Sequence, residues 1–498
     1  KKLSRRYVIK SMFSFWKNAS IMAFAEVFLK LKALIMMPFI TRYFGTVNYG
    51  IWSQVMVIVS LVSPLVFCGM ENSLARFLPG QSIEKQREDF TGWFLFGLST
   101  SVVLFLLISV TSGLFSELFF GTRNEYSSFV VLAGMNIVTT SLLTGIRNWF
   151  RVQNAAWSLG AITIIQNLLQ MVVLIWILIQ GLGIYELVLW SLVLDAFLMG
   201  IYVLYLLKTK VFSKPSLKWL KPYFRFGIML LPSGYAIWVL NSLDRVFLAQ
   251  YHTLSDIGVY SICFTIGYTL IQVVVNPIWV LFPTKAAELY NVQKFNDLNI
   301  LFNQSLKLIC WLIFPAILGL LIIGDQLMKF LTTDAFAAGY TVVPIILSGY
   351  LFLMLSAYFE SILSLKNKPY LSTVFTVLAC LLNIILNFLL IPKYSYMGAA
   401  VATTLSFTAQ LFLSAVFALK EDLVTLDRKP ILKILASSLL MFLVTWAAKA
   451  YWFESNSVLS FFTLISLGIM TYAALTYVFK IYSITYFMKF LKGDLPYA

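Results

Sequence analysis

The chain has 498 residues, 60% hydrophobic and only 12% charged, with a net charge of +16. A soluble domain carries roughly 25% charged residues, so a water-soluble globular fold is excluded, and apolar runs of about 20 residues recurring from end to end indicate a polytopic all-α membrane protein. The basic excess would suggest nucleic acid in a soluble chain; in a membrane chain it follows from retention of lysine and arginine on the cytoplasmic side, and no nucleic-acid partner is expected.

In chain order, Ser4–Lys10 (SRRYVIK) carries an arginine pair. The apolar run behind it holds Lys17, Glu26, Lys30 and Lys32, and no small-residue cleavage site follows, so a basic tail rather than an export signal is expected. Length and flanking charge then place about fourteen spans. They centre on 19–43, 50–70, 92–115, 127–147, 157–180, 185–207, 224–250, 257–282, 303–324, 341–364, 370–391, 396–419, 431–452 and 457–480. With the N-terminus inside, the cytoplasmic side receives about 29 lysines and arginines and the outer side about 5, by the positive-inside count. Lys30, Lys32 and Arg245 lie inside spans. Both termini are expected in the cytoplasm, at the cell's plasma membrane.

The chain repeats itself. Ala19–Ser53 and Tyr223–Ser261 align at an offset of 208, with Tyr43 on Tyr251, Gly50 on Gly258, Trp52 on Tyr260 and Ser53 on Ser261. Further on, Asn154 falls on Asn367 and Gln170 on Asn383 at an offset of 213. The expected organisation is an N-lobe over 1–207, a basic linker over 208–222, a C-lobe over 223–420, and an appended helix pair with a tail over 421–498. Two pseudo-repeated six-helix lobes suit a transporter with its substrate near the midplane. Cys68, Cys263, Cys310 and Cys380 sit in apolar runs without CxxC spacing, and the one histidine, His252, falls in a turn. Neither a disulfide framework nor a metal centre is expected. With no GxxxxGKS/T loop either, no cofactor is expected.

Four segments resemble a known family: PFITRYFGTVNYGIWS (Pro38–Ser53), GMENSLARFLP (Gly69–Pro79), FGIMLLPSGYAIWVLNSLDRVFLAQY (Phe226–Tyr251) and LLNIILNFLLIPKYSYMGAAVATTLS (Leu381–Ser406). They resemble the polysaccharide transporter family, the Wzx-type flippases of the MATE-like multidrug/oligosaccharidyl-lipid/polysaccharide superfamily. The resemblance implies a V-shaped, two-lobed exporter that is a transporter and not an enzyme. It implies movement of a polyprenyl-diphosphate-linked oligosaccharide, such as an O-antigen repeat unit, from the inner to the outer leaflet by alternating access. A polysaccharide polymerase or co-polymerase is a candidate partner. A cation- or proton-coupled multidrug exporter and a lipid II flippase are the alternatives within the same fold, and a membrane glycan polymerase or ligase the alternative outside it.

Charge held inside spans marks the residues to watch. Glu26 and Lys30 are four apart on one helix face and can pair. Lys32 points about 200° away from Lys30, which leaves it to hold a diphosphate or to pair with Asp195 of the sixth span. Asp244 and Arg245 diverge by about 100° around their helix, so each is expected to find a partner elsewhere. Arg245 is a candidate diphosphate ligand because its planar fork matches phosphate oxygens; Asp244 is a candidate proton or cation site, and a structural charge pair is the other reading of the two. Glu360 is the remaining carboxylate suited to cation coupling, or an acid lining an inner vestibule. Arg147 and Arg151, four apart at a cytoplasmic helix end, suit a lipid head group or plain membrane anchoring.

Overall fold

The computed structural model describes residues 2–153, 155–216, 218–452 and 458–481, with side chains described at 32, 34–153, 155, 157–216, 218–451 and 458–481. Every regular element among the described residues is a helix. Contacts divide the chain into two compact units, Lys1–Gly258 and Val259–Ala498. The first holds α1 (Lys2–Val66), α2 (Glu71–Phe77), α3 (Ile83–Val110), α4 (Ser112–Phe120), α5 (Ser127–Val152), α6 (Ala156–Gln180), α7 (Ile184–Lys208), α8 (Leu220–Tyr251) and the start of α9 (Leu254–Asn291). The second holds the rest of α9, then α10 (Phe295–Leu331), α11 (Asp334–Ala337), α12 (Val342–Leu365), α13 (Tyr370–Leu419), α14 (Arg428–Trp452) and α15 (Val458–Val478).

Twelve helices among the described residues are long and apolar enough to cross a membrane, and the chain is a multi-pass membrane protein. Two of these helices are long enough for two crossings. Helix α1 runs 65 residues, about 100 Å at 1.5 Å per residue, against a hydrocarbon core of about 30 Å. It breaks at Gly45, whose φ of 71° and ψ of −176° are non-helical and suit a residue without Cβ. Helix α13 runs 50 residues and breaks at Ser395, with φ 48° and ψ −136°. The expected fourteen crossings would need each of these two helices to count twice.

Packing in the first unit centres on Phe67 at the end of α1. Its ring stacks on Trp93 of α3 at 3.8 Å and 2°, with Phe90 and Trp149 beside it. Helix α3 can approach because position 97 is glycine: a Cβ there would lie 2.0 Å from the Phe67 ring. Helices in a bilayer gain little from burying apolar surface against one another, so close contact depends on small residues.

Helix α8 packs within the first unit, against α1, α2 and α4, although the sequence repeat places it at the start of the second copy. Toward one end its backbone touches the turn after α1: a Cβ on Gly69 would lie 2.4 Å from the Gly227 carbonyl oxygen. Ser73 donates to the Tyr223 carbonyl at 3.1 Å and Tyr235 to the Leu61 carbonyl at 3.0 Å. Toward the other end, Gln250 Nε2 donates to the carbonyls of Glu117 and Leu118 at 2.8 and 2.9 Å.

Just past α8, the chain makes a reciprocal contact between repeat-equivalent positions. A Cβ on Gly50 would lie 2.0 Å from the Leu254 carbonyl oxygen, and a Cβ on Gly258 2.0 Å from the Thr46 carbonyl oxygen. Ser255 Oγ donates to Thr46 Oγ1 at 2.8 Å across the same crossing. The offset of 208 carries Thr46 onto Leu254 and Gly50 onto Gly258, so each copy presents a carbonyl to the glycine of the other. Both obstructing atoms are backbone and cannot rotate away. Gly258→Val is therefore expected to cost about 1–3 kcal/mol through overpacking, read as a lower melting temperature of the full chain in detergent; an unchanged melt would show that the crossing is not tight.

Candidate functional site

The first unit contains a buried polar network spanning four helices. Helix α6 is largely apolar, and Gln166, Asn167 and Gln170 fall on neighbouring positions of one side, the two glutamines being four residues apart. Lys32 of α1 donates through Nζ to Asn167 Oδ1 and Gln170 Oε1, each at 2.9 Å. Gln170 Nε2 passes the contact on to Asp195 Oδ1 of α7 at 3.2 Å. Gln166 Nε2 donates to the same oxygen at 2.8 Å, and Gln166 Oε1 accepts from Arg147 Nη2 of α5.

Two cations are thus tied to one carboxylate through two glutamines. Asp195 is 4% exposed and Gln166 6%, so solvent does little of the neutralising. The Nε of Arg147 is buried with no hydrogen-bond partner among the described residues. An unsatisfied cationic donor, next to a network carrying one more positive than negative side chain, is what an anionic ligand would complete.

The structure brings together Lys32, Arg147 and Asp195 of the residues singled out in the sequence. It adds Gln166 and Asn167, which a search for charge passes over, and gives Gln170, first noticed only as the repeat mate of Asn383, a direct role. The alternative of a direct Lys32–Asp195 pair becomes a bridged one, with Gln170 between them. Glu26 and Lys30 have side chains outside the described residues.

Arg147 and Arg151 point to different surroundings. Arg151 is exposed, and its charge offsets part of the upward push that burial gives the Glu71 carboxyl at the head of α2.

Asp244 and Arg245 do not take only distant partners, as their angular separation suggested. Arg245 Nη1 lies 3.6 Å from Asp244 Oδ1, with both side chains buried, and the same oxygen accepts from the Arg245 backbone N–H at 2.8 Å. The long arginine side chain folds back along α8, donating to the Asn241 carbonyl at 2.7 Å. Angular separation at Cα constrains short side chains; three methylenes and a guanidinium span the difference. Gln54 of α1 donates to the Arg245 carbonyl at 2.8 Å, tying this pair to the first unit.

In the second unit Glu360 of α12 is half-buried against α13, accepting from Gln410 and Ser414. A separate feature of this unit is a cavity of about 730 Å³ between α10, α14 and α15, lined almost wholly by apolar side chains such as Pro315, Leu320, Met441, Leu464 and Ile469.

Three comparisons bear on this arrangement. Residues 39–341 match the family model described as "Polysaccharide biosynthesis protein". A curated relative, "Probable low-salt glycan biosynthesis flippase Agl15" of Haloferax volcanii, is 24% identical over 271 residues, 54% of this chain and 56% of that protein; the match thus spans about half the relative's length. Among solved structures, "Lipid II flippase MurJ, inward closed conformation" superposes with a TM-score of 0.75 at 16% identity, over 92% of this chain and 98% of that one. An inward-facing multidrug resistance MATE family transporter of the MOP superfamily gives 0.60 at 13% identity, over 79% and 98%. At such identities the two structures establish a shared fold.

Removing the carboxylate leaves two half-buried cations without their bridged counter-charge, a smaller loss than the breaking of a fully buried pair. Asp195→Asn should lower the melting temperature, and adding Lys32→Met should recover part of the loss. If the double variant melts no higher than the single one, the network is not coupled through Gln170.

Proposed function

The chain belongs to the Polysaccharide biosynthesis protein family, and on that premise we propose that it is a flippase. It carries a polyprenyl-diphosphate-linked oligosaccharide from the inner to the outer leaflet of the plasma membrane by alternating access, as a secondary transporter and not an enzyme. The observation that carries this reading is the cationic network of Lys32 and Arg147 around Asp195 in the first unit. A diphosphate is the part of such a substrate most costly to bring into hydrocarbon. Arg147 offers it a planar fork with a donor still unsatisfied, and Lys32 offers a point charge held by amides that can turn toward an incoming anion.

The apolar cavity of the second unit supports the lipid half of the reading, since its walls offer a prenyl chain surroundings as apolar as the lipid it leaves. The printed name of the curated relative, a glycan biosynthesis flippase, points the same way. Arg245, Arg151 and Lys30 belong to the proposal as further basic groups for the diphosphate or the lipid surface. Glu26, Asp195, Asp244 and Glu360 are the carboxylates available for coupling to a proton or cation. The positive-inside count supports a cytoplasmic position for both termini, and a polymerase outside would take up the product.

Binding energy at the diphosphate predicts a graded loss. In cells lacking their own flippase, Arg147→Gln and Lys32→Gln should each reduce surface glycan by about tenfold or more, the effect of about 1.4 kcal/mol. Arg147→Lys should fall between, because it keeps the charge and loses the fork. Full complementation by Arg147→Gln and Lys32→Gln at equal protein levels would remove the network from transport.

The cavity makes a separate prediction. A Cβ on Gly468 meets only Thr445 Cγ2 at 3.5 Å and Met441 Sδ at 3.9 Å, so Gly468→Ala should transport normally while Gly468→Phe, which fills the space, should lower export. Equal export by both variants would show that the cavity does not receive the lipid.

A further inference from the structure

Basic side chains gather in the second unit where the start of α14 and the end of α15 meet α10. Lys307 of α10 donates through Nζ to the Ile481 carbonyl at 2.6 Å, and Lys433 of α14 to the Phe479 carbonyl at 3.2 Å. Both acceptors belong to the turn that closes α15, where helix carbonyls lack partners of their own. Lys480 lies between them in that turn, at a φ of 52°, and is exposed. Lys433 is near enough to Lys307 to repel it, and Asp427 near enough to attract it. Arg428 and Lys429 follow Asp427 at the start of α14, both exposed.

Capping of α15 explains where two of the lysines sit and leaves the charge unanswered. Five basic side chains are drawn together against one acid, Asp427, and its Oδ1 already accepts from the Lys429 backbone N–H at 3.2 Å. Lys429 and Lys433, four apart on one helix face, repel each other. Arg428 and Lys429 also stand in a first turn that holds no acidic residue, at the end of a helix that is itself partly positive. An anion from outside the chain relieves all three repulsions.

The surface beside the cluster says what carries that anion. From Lys429, steps of three and four lead along α14 to Leu432, Leu435, Leu439 and Leu443, all exposed. The leucines form an apolar stripe about 16 Å long at 1.5 Å per residue, against about 15 Å for one leaflet, half of the hydrocarbon core. The positive-inside count assigns this end of α14 to the cytoplasmic leaflet, where basic groups between transmembrane helices meet anionic lipid. Inorganic phosphate or an acidic peptide would match the charges alone. We infer that Lys307, Arg428, Lys429, Lys433 and Lys480 bind the head group of an anionic phospholipid whose acyl chain lies along the leucine stripe of α14. The bound lipid joins α10, α14 and α15 at the membrane surface, apart from the groups proposed for substrate and coupling.

Lipid binding is read directly and needs no transport. The full chain in detergent is titrated with phosphatidylglycerol and, separately, with phosphatidylcholine of the same acyl chains and with inorganic phosphate; bound lipid is read by native mass spectrometry and stability by thermal unfolding. Phosphatidylglycerol should bind saturably and raise the melting temperature, and the other two should do neither. The triple variant Arg428→Gln/Lys429→Gln/Lys433→Gln, in which every changed side chain is exposed, should weaken apparent phosphatidylglycerol affinity about a hundredfold, at about 1 kcal/mol for each charge near the surface. Removing as many charges elsewhere, by Lys210→Gln/Lys214→Gln/Lys218→Gln, should leave that affinity unchanged. Undiminished affinity in the α14 variant overturns the site, as does an equal loss in the second variant. Equal stabilisation by phosphatidylcholine overturns it by leaving the charges idle, and equal stabilisation by inorganic phosphate by leaving the stripe idle. Should the α14 variant fail to fold, Lys433→Gln alone decides: a fall of about fivefold, one charge's worth, supports the site, and no fall overturns it.

Discussion

The bridged contact of two cations with Asp195 is the constraint on which the first unit depends. A charge carried into hydrocarbon must be compensated by protein, because no solvent is there to do it. Asp195 alone cannot touch both Lys32 and Arg147, which come from α1 and α5. Gln166 and Gln170, one turn apart on α6, extend its reach in two directions. Four helices are thereby fixed to one carboxylate oxygen, and the register of α6 against α7 follows from it. The arrangement leaves an excess of positive charge and an Arg147 Nε without a hydrogen-bond partner among the described residues, which is the ground for the proposed anion site.

At other close approaches the backbone supplies the specificity. Gly50 and Gly258 face carbonyls of Leu254 and Thr46 at distances that no side chain could share, and Gly69 meets Gly227 in the same manner. These contacts explain why α8 belongs by packing to the first unit even though its sequence begins the second copy. A repeat records ancestry of sequence; compactness records which surfaces fit. The Gly50–Gly258 crossing joins the two, since each copy contributes one glycine and one carbonyl related by the same offset.

Much of this was legible in the sequence for definite reasons. Hydropathy exposes spans because each must be apolar over about 20 residues, and Lys32, Asp195 and Glu360 stand out because charge is rare there. Gln166 and Asn167 were missed because an amide is neutral and common enough to pass as filler; three carboxamides within five residues of an otherwise apolar helix was the available signal. Arg147 read as a lipid head-group contact or a membrane anchor because it lies near a span end, where arginines usually face water. Asp244 and Arg245 were read apart because helical angles describe Cβ directions and say little about where a long side chain ends. The break of α1 at Gly45 falls in the turn-like stretch between the first two expected spans, 19–43 and 50–70.

The opposite charges at Arg147 and Glu360, equivalent at the offset of 213, show how one repeated frame can serve both signs. Changing a cation to an anion inside hydrocarbon would ordinarily demand new partners on every facing helix. A carboxamide removes that demand, because it carries an acceptor and two donors on one rigid plane. Gln166 turns its oxygen to Arg147 and its nitrogen to Asp195; Gln410 turns its nitrogen to Glu360. A glutamine can therefore solvate a cation in one copy and an anion in the other without new partners on every facing helix.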